Sequence, residues 1–272
     1  MNAELHRNAL GIPETDAPQP WADPGIAELY DLFPFDADLP FYRDLAERAD
    51  GAILELACGT GRVALPLAQA GHEVMGVDSS PYMLAIARRK LRALPVHVAR
   101  RVQLVQGDMR WFELDREFNL AIVATKSFGY LLEDDDQLRA LAAIRAHLRS
   151  GGILVLDLLN PSPQWAARAT GLPVQDLFQE SPDGELAISR SEWVVDTDEA
   201  RRIRVTRSVY EIRRRGTTEF RTVEWPFRYI DRQQAEELLA AAGFSLTQVF
   251  GGYAREPYEA DSPALLTVAR RR

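Results

Sequence analysis

The 272-residue sequence predicts an α/β fold in which helices cover both faces of a mostly parallel sheet. From about residue 50 to residue 160, short apolar strands alternate with amphipathic helices, and such strands usually pair in parallel. Two of the strands end in an acid, at Asp78 and Asp108. After about Pro161 the pattern changes, and strands follow one another without helices between them. These observations predict a three-layer αβα domain with an antiparallel insertion.

The first 50 residues precede this alternation. Residues 1–22 contain several prolines and little periodicity, which predicts a flexible or extended arm. Apolar residues at helical spacing, among them Tyr30, predict a helix over 23–35. A second short helix is expected over 41–50.

The alternating region predicts five strands and three helices. The expected strands cover 52–57, 72–78, 102–108, 119–125 and 152–160, and the expected helices cover 63–71, 80–94 and 135–152. Ser79 or Ser80 is expected to cap the second of these helices, since serine oxygens accept bonds from free N–H groups at helix starts.

The C-terminal part predicts a meander, a helix and a hairpin. Three successive strands are expected over 186–196, 201–214 and 218–230, followed by a helix over 231–243 and strands over 244–253 and 264–272. The last two strands bring the expected core sheet to seven strands.

Composition and charge exclude several classes of protein. The formal net charge of −8 argues against a nucleic-acid partner, whose binding surface should be basic. The sequence contains no run of eighteen apolar residues, so no membrane-spanning helix is expected. The polar N-terminus does not resemble a signal peptide. One cysteine, Cys58, excludes an intramolecular disulfide framework. We therefore expect a cytoplasmic protein.

A glycine loop lies where the first strand meets the first helix, at Gly59 and Gly61. Glycines there permit a sharp turn and the close approach of a ligand to the backbone, and the helix start beyond offers free N–H groups. Asp78 ends the next strand, where its carboxylate can accept hydrogen bonds from both ribose hydroxyls of a nucleoside. A nucleoside is therefore expected at the carboxyl ends of the strands.

Two kinds of nucleoside cofactor fit this loop. The spacing of Gly59, Gly61 and Ala64 satisfies the loose dinucleotide pattern of a nicotinamide-dependent oxidoreductase. Glu55, however, would repel a pyrophosphate and attract an amino group. Asp108 follows the third strand, at the depth of an adenine amino group, and the chain lacks the Tyr-x-x-x-Lys pair of small reductases. A cofactor with an amino group is favoured, with the oxidoreductase as the alternative.

The motifs LELACGTGR (54–62), VMGVDSSPYML (74–84) and QGDMR (106–110), with the last helix and hairpin, resemble the class I S-adenosylmethionine-dependent methyltransferases. The resemblance covers about 25–160 and 230–272. It implies a Rossmann-like fold, S-adenosylmethionine as cofactor, and methyl transfer to a nitrogen or oxygen of a small-molecule acceptor. Ala57 stands where the family pattern has its first glycine.

The resemblance also implies which residues hold the methionine and ribose parts of the cofactor. Glu55 would hold the amino group, directly or through water. The backbone of Ala57, Gly59 and Gly61 would pass under the methionine part. Asp78 would take the ribose hydroxyls, although an acid there can also serve as a helix cap.

On the adenine side, the resemblance places Ser79 and Met83 near the ring face. Asp108 would accept from the adenine amino group, and the Met109 N–H would face a ring nitrogen. Two alternatives stay open from the residues alone, because Met83 at helical spacing can be a core residue and Asp108 can be an ordinary loop acid.

Two further cofactor contacts are implied near the reacting methyl group. Thr125 ends the fourth strand, so its carbonyl side would face the sulfonium. Tyr30 lies on an N-terminal helix that in such enzymes folds over the cofactor as a lid, although its ring can also simply pack against the domain.

The acceptor site is less defined. Lys126, Tyr130 and Arg228 are candidate substrate-binding residues, but no catalytic residue can be assigned and no metal is expected. An activated methyl group needs alignment more than acid–base help. Between Arg201 and Arg232 there are ten arginines and four acids, which indicates either a solvated or subunit-contact face, or binding of an anionic acceptor.

Four segments are therefore expected. They are an arm with lid helices (1–50), a cofactor-binding core (51–160), an antiparallel insertion that covers the substrate or forms a homodimer contact (161–230), and a helix with a hairpin that completes the core sheet (231–272). A non-catalytic S-adenosylmethionine-binding module is a second alternative, since these motifs report cofactor binding rather than turnover.

Overall fold

A computed structural model of the protein describes residues 20–163, 165, 173–181 and 183–272. The arm expected over 1–22 lies outside the described residues up to residue 19, as do 164, 166–172 and 182 of the expected insertion. The described chain forms a seven-stranded sheet and a four-stranded sheet. None of the helices that the structure describes is both long and apolar enough to cross a membrane.

The helices and strands follow one another in this chain order: α1 (Pro24–Ala27), α2 (Leu39–Ala49), β1 (Ile53–Leu56), α3 (Ala64–Gln69), β2 (Val74–Asp78), α4 (Pro81–Arg92), α5 (Val96–Ala99), β3 (Val102–Gln106), β4 (Phe118–Val123), α6 (Asp134–His147), β5 (Leu148–Leu158), β6 (Val174–Glu180), β7 (Leu186–Asp198), β8 (Ile203–Arg214), β9 (Thr217–Arg228), α7 (Arg232–Ala241), β10 (Phe244–Phe250) and β11 (Leu265–Arg271).

The large sheet has the strand order β10-β11-β5-β4-β1-β2-β3. Strands β1 to β5 pair in parallel, and β11 pairs antiparallel with both β5 and β10. The predicted α/β fold with seven mostly parallel strands and a C-terminal hairpin is confirmed. The strand order reverses at β1, which lies between β2 and β4, and open α/β sheets bind ligands at such a reversal.

Alternating side chains of the sheet build two hydrophobic cores. On one face, residues such as Leu54 and Leu56 of β1 pack with helices α6 and α7. On the other face, Ile53 of the same strand packs with helices α2 and α3. Both faces of β1 are buried, which explains why its sequence, apart from Glu55, is apolar rather than alternating. This packing holds the carboxyl ends of the strands in a fixed row.

Two predicted helices differ from the structure. The helix expected over 23–35 is only the short α1 and a 3-10 turn, Tyr30–Leu32, because Pro34 disfavours a helical backbone at Phe33. The helix expected over 135–152 ends at His147. The next residue, Leu148, already pairs with Phe118 of β4 and is fully buried, so the sheet takes over that residue.

The insertion forms an antiparallel sheet of order β6-β7-β8-β9. The three predicted strands are confirmed as β7, β8 and β9, and β6 is a fourth strand that the sequence did not reveal. Strand β9 ends at Arg228, and the sheet thereby reaches the carboxyl ends of the core strands.

Candidate active site

A cavity of about 810 Å³ lies at the carboxyl ends of the core strands. The N-terminal segment and the four-stranded sheet supply its other walls. It is lined by most of the predicted site residues, namely Tyr30, Glu55, Ala57, Gly59, Asp78, Ser79, Met83, Asp108, Met109, Thr125 and Tyr130. Its volume is typical of sites that enclose a small ligand. Gly61, Lys126 and Arg228 are not among the lining residues.

The glycine loop after β1 has a left-handed backbone at Ala57, Gly59 and Gly61, with φ values of 53°, 56° and 79°. A Cβ on Gly59 would lie 3.1 Å from the Met83 methyl carbon. A Cβ on Gly61 would instead lie 2.9 Å from Cγ of Leu65, on helix α3. Gly61 therefore lets the loop pack on the helix, whereas Ala57 and Gly59 face the cavity.

Glu55 of β1 is a buried acid at the cavity wall, with 2% of its surface exposed. Its Oε2 atom is buried and has no hydrogen-bond partner among the described residues. Burial raises the pKa of this carboxyl to about 8, because desolvation disfavours the charged form. A ligand that brings a cationic amino group would satisfy the orphaned oxygen.

Asp78 ends β2 and is 8% exposed. Its Oδ2 accepts from the Gly59 N–H at 2.7 Å and its Oδ1 accepts from the Ser80 N–H at 2.8 Å. Each carboxylate oxygen keeps a second acceptor site, so the pair can still accept from two hydroxyls. Ser80, not Ser79, caps helix α4 by accepting from the Met83 N–H at 3.2 Å.

Asp108, after β3, lines the cavity but is bound by Arg110. The Arg110 guanidinium donates to both Asp108 oxygens, at 2.7–3.1 Å, and to Asp136 of α6 at 2.9 Å. The Arg110 N–H also donates to Asp108, at 2.8 Å. These bonds fit the alternative of a loop acid, and they leave Asp108 beside the cavity with its charge already paired. Sequence reasoning missed Arg110, although it belongs to the QGDMR motif.

Arg62, the last residue of the LELACGTGR motif, is a second lining residue that sequence reasoning missed. Its guanidinium donates to both carboxylate oxygens of Asp38 at 2.6 Å, to Thr125 Oγ1 at 2.7 Å and to the Phe35 carbonyl at 2.8 Å. Asp38 is fully buried. Arg62 thus ties the N-terminal segment to the cavity wall, and its place directly after the second glycine is the signal that marks it.

Thr125 and Lys126 follow β4 with left-handed φ values of 53° and 61°. Thr125 faces the cavity, whereas Lys126 is not among the lining residues, so substrate binding by Lys126 stays a prediction. The Lys126 ammonium turns away and lies 3.7 Å from Oδ1 of Asp157 on β5. Lys126 lies three residues beyond the end of β4, and the turn sets the direction of each side chain there.

Arg228 is also not among the lining residues, and its role in substrate binding stays a prediction. It donates to the Leu132 carbonyl at 3.0 Å and forms an ion pair with Asp134. Other arginines also pair with acids outside residues 201–232, as Arg201 does with Glu133 and Arg215 with Glu185. Strand alternation assigns a residue to a face but cannot name its partner, and these outside partners account for part of the arginine excess.

Two tyrosines form aromatic walls of the cavity. Tyr130 packs against Phe227 and Trp225 of β9, with ring centroids 5.6 and 6.0 Å apart. Burial raises the pKa of the Tyr130 phenol above its ordinary value. The rings of Tyr30 and Trp21 meet edge-to-face, with centroids 5.0 Å apart. Tyr30 is one of the residues that line the cavity.

The arrangement fits a nucleoside with an amino-acid tail. Glu55 offers an unpaired acceptor, Asp78 offers a pair of oxygens, and the backbone of Ala57 and Gly59 lies open to the cavity. Among the residues that the structure describes, no group of three or more histidine, cysteine or acidic side chains is arranged to hold a metal ion.

Comparisons with known proteins identify the family. A family model described as a methyltransferase domain matches residues 53–152. A dTDP-3-amino-3,6-dideoxy-alpha-D-glucopyranose N,N-dimethyltransferase of Streptomyces fradiae is 31% identical over 188 residues, which are 63% of this chain and 71% of the relative. The chain belongs to the S-adenosylmethionine-dependent methyltransferases.

Other relatives agree with this family. A cypemycin N-terminal methyltransferase of a Streptomyces species is 28% identical over 220 residues, 80% of this chain and 82% of the relative. The solved structure of the CcbJ methyltransferase of Streptomyces caelestis superposes with a TM-score of 0.76 and 26% identity, over 93% of this chain and 98% of that one.

The methyltransferase transfers a methyl group from S-adenosylmethionine to a nitrogen or oxygen atom of a small molecule, as the sequence predicted. S-adenosylmethionine, the methyl donor of this family, is its cofactor. The two alternatives, a nicotinamide-dependent oxidoreductase and a binding module without turnover, are thereby set aside.

Proposed function

We propose that this methyltransferase methylates an amino nitrogen of its small-molecule acceptor. One end of the cavity is formed by the insertion. The observation that carries the proposal is that the titratable side chains at this end are either neutral or already hold a hydrogen-bond or ion-pair partner. Tyr130 is held in its neutral form by burial. Glu133 is paired with Arg201, and Asp198 accepts from the Arg201 N–H at 3.0 Å. A hydroxyl acceptor usually needs a base, whereas an unprotonated amine already carries its nucleophilic lone pair.

Relatives support the same proposal. The Streptomyces fradiae relative is named as an N,N-dimethyltransferase of an amino sugar nucleotide, and the cypemycin enzyme is named as an N-terminal methyltransferase. The first name describes methylation of nitrogen, and the second describes methylation at an N-terminus.

We also propose roles for the lining residues toward the cofactor. Bound S-adenosylmethionine supplies an activated methyl group. Glu55 would bind the amino group, and Asp78 would bind the ribose hydroxyls. The Thr125 turn would lie beside the reacting centre, and Tyr30 would cover it from the N-terminal side.

The remaining assignments concern the adenine and Gly61. The proposed roles of Asp108 and Gly61 differ from those that the sequence predicted. Ser79, Met83 and the Met109 N–H would surround the adenine. Asp108 would accept from the adenine amino group while it stays paired with Arg110, since a carboxylate has more acceptor sites than that pair uses. Gly61 would act through the loop conformation rather than by contact with the cofactor.

The four-segment division of the chain is kept as a proposal, with 161–230 as acceptor cover. An anionic group on the acceptor, a homodimer contact through the insertion and a cytoplasmic location are further proposals. Arg201 lines the cavity and supports the first. Exposed Phe178 and Phe220, at 57% and 64%, support a contact surface on the four-stranded sheet.

Matched acceptor pairs test the proposed amine specificity. The purified enzyme is incubated with S-adenosylmethionine and either dTDP-3-amino-3,6-dideoxyglucose or its 3-hydroxyl analogue, and in parallel with glycine or glycolate. Formation of S-adenosylhomocysteine and the mass of the product are measured. We expect methylation of at least one amine and none of its hydroxyl partner. Faster turnover of a hydroxyl compound would contradict amine specificity.

A further inference from the structure

The turn formed by Thr125 and Lys126, called here the β4 turn, has an uncommon conformation. Both residues have positive φ values, 53° and 61°, which residues other than glycine adopt rarely. Such a conformation persists only where surrounding contacts enforce it, and it concentrates at functional sites. Ala124, Thr125 and Ser127 line the cavity, so the β4 turn is part of the cavity wall.

Asp157 is the residue that contacts both members of the β4 turn. It lies on β5, one residue beyond Leu156, which pairs with Val123 of β4. Its Oδ2 accepts from the Thr125 N–H at 3.0 Å, and its Oδ1 lies 3.7 Å from the Lys126 ammonium. Strand β5 thus provides a hydrogen-bond acceptor for the Thr125 N–H and a negative charge beside the Lys126 ammonium.

Asp157 is itself held from two other parts of the chain. Tyr253 donates to its Oδ2 at 2.8 Å and Tyr42 of α2 donates at 3.4 Å. The side chain is fully buried, and an uncompensated charge there would be costly. Burial raises the pKa of this carboxyl, while Lys126 and the hydrogen bonds oppose that effect. The partners therefore fix where the carboxylate sits.

The other side of the β4 turn is held by Arg62, which donates to Thr125 Oγ1 at 2.7 Å. Thr125 is thus held at its N–H by Asp157 and at its side chain by Arg62. This double restraint explains how a threonine keeps a left-handed backbone at the cavity wall.

We propose that Asp157 is a positioning residue for methyl transfer, because its carboxylate holds the β4 turn in the left-handed conformation that aligns the acceptor with the methyl group. The proposal rests on methyl transfer taking place beside Thr125 in this cavity. It does not require that the acceptor be an amine. Asp157 touches neither reactant, so its effect reaches the reaction through Thr125.

The test compares Asp157→Asn with a matched control, Tyr253→Phe. Asp157→Asn removes the negative charge that faces both members of the β4 turn, whereas Tyr253→Phe leaves the carboxylate in contact with Thr125 and Lys126. The assay uses the acceptor that the wild-type enzyme methylates fastest, whether at nitrogen or at oxygen.

We expect Asp157→Asn to lower kcat about tenfold or more, since small misplacements of reacting groups cost this much. The Kd for S-adenosylhomocysteine should stay within about threefold. Tyr253→Phe should lower the melting temperature and keep kcat within about twofold.

A glycine at residue 126 distinguishes the effect of the turn conformation on kcat from the effect of the unpaired Lys126 charge. Glycine adopts a left-handed backbone without help, so Asp157→Asn/Lys126→Gly should recover kcat to within about threefold of the wild type. Asp157→Asn/Lys126→Met removes the same unpaired charge without easing the backbone, and its kcat should stay low. Equal rescue by both double variants would overturn the proposal, as would wild-type kcat in Asp157→Asn.

A second approach to the turn covers the case in which Asp157→Asn does not fold. Lys126→Val keeps Asp157 but puts a β-branched residue where a positive φ is required. Its kcat should be about tenfold below that of Lys126→Gly, which loses the same positive charge but adopts a positive φ without strain. If valine and glycine at residue 126 gave the same kcat, the turn conformation would not matter for methyl transfer. The amine proposal is tested independently, because it depends on which acceptor the wild type methylates.

Discussion

Glu55 shows how a single residue can destabilise the fold for the benefit of a ligand. Its folded pKa of about 8 lies above the ordinary value of 4.5, so the folded protein holds this proton more tightly than the unfolded chain does. Such a group costs stability progressively as the pH rises from about 4.5 to about 8. At pH 7 the cost is about 3 kcal/mol. A bound amino cation would reverse this penalty by stabilising the carboxylate.

Glu55→Gln is therefore expected to stabilise the ligand-free enzyme and to weaken binding. The free energy of unfolding at pH 7 should rise by about 1–3 kcal/mol, and the gain should vanish at pH 4, where the glutamate is protonated in both states. The affinity for S-adenosylhomocysteine should fall about tenfold or more, because a charged hydrogen bond is lost. Urea unfolding at the two pH values and calorimetric titration measure both effects. A variant that is less stable than the wild type at pH 7 would contradict the assigned cost.

At the scale of elements, the segment between α1 and α2 is fastened to the glycine loop at two points. Thr60 donates to Asp31 at 2.7 Å, and Arg62 pairs with buried Asp38 at 2.6 Å. Thr60 and Arg62 flank Gly61, so the N-terminal segment and the loop that lines the cavity hold each other in place. Tyr30, beside Asp31, reaches the cavity as a result.

Asp38→Asn is expected to loosen this segment. Removing one partner of a buried ion pair should lower the free energy of unfolding by about 3 kcal/mol. Limited proteolysis should then cut near residues 31–38 faster, and S-adenosylhomocysteine should protect less well. Asp44→Asn, in the adjoining helix α2, is the control, since Asp44 is 38% exposed and its loss should cost less than about 1 kcal/mol. Equal proteolysis of Asp38→Asn and wild type would show that the segment is held elsewhere.

The elements also show what the sequence can predict and what it cannot. Apolar runs, glycine stops and acids at strand ends predicted every strand of the core sheet, because these signals are local. Strand β6 was missed. The end of α6 was misplaced because Leu148 is taken by a strand pairing with Phe118, a contact 30 residues away in the chain. The ion pairs of Lys126 with Asp157 and of Arg228 with Asp134 could not be predicted, because these partners lie on other elements.

At the scale of the whole molecule, the cavity is assembled from three parts of the chain. The core sheet supplies Glu55 and Asp78, the N-terminal segment supplies Tyr30, and the four-stranded sheet supplies Ile203 and Pro226. The cofactor motifs are short and continuous, so the sequence could reveal them. The acceptor wall is made by a separate sheet, and its contacts with the core are long-range in the chain, as the pair of Arg201 with Glu133 illustrates.

The central claim is that the cavity beside Glu55 and Asp78 is the cofactor site, and calorimetric titration tests it most directly. S-adenosylhomocysteine and NADH are titrated separately into wild type, Asp78→Ala and Asp115→Ala, the last being an exposed acid outside the cavity. We predict that the wild type binds S-adenosylhomocysteine and not NADH, that Asp78→Ala weakens binding about tenfold or more, and that Asp115→Ala changes nothing. Wild-type affinity in Asp78→Ala, or binding of NADH in place of S-adenosylhomocysteine, would contradict the account.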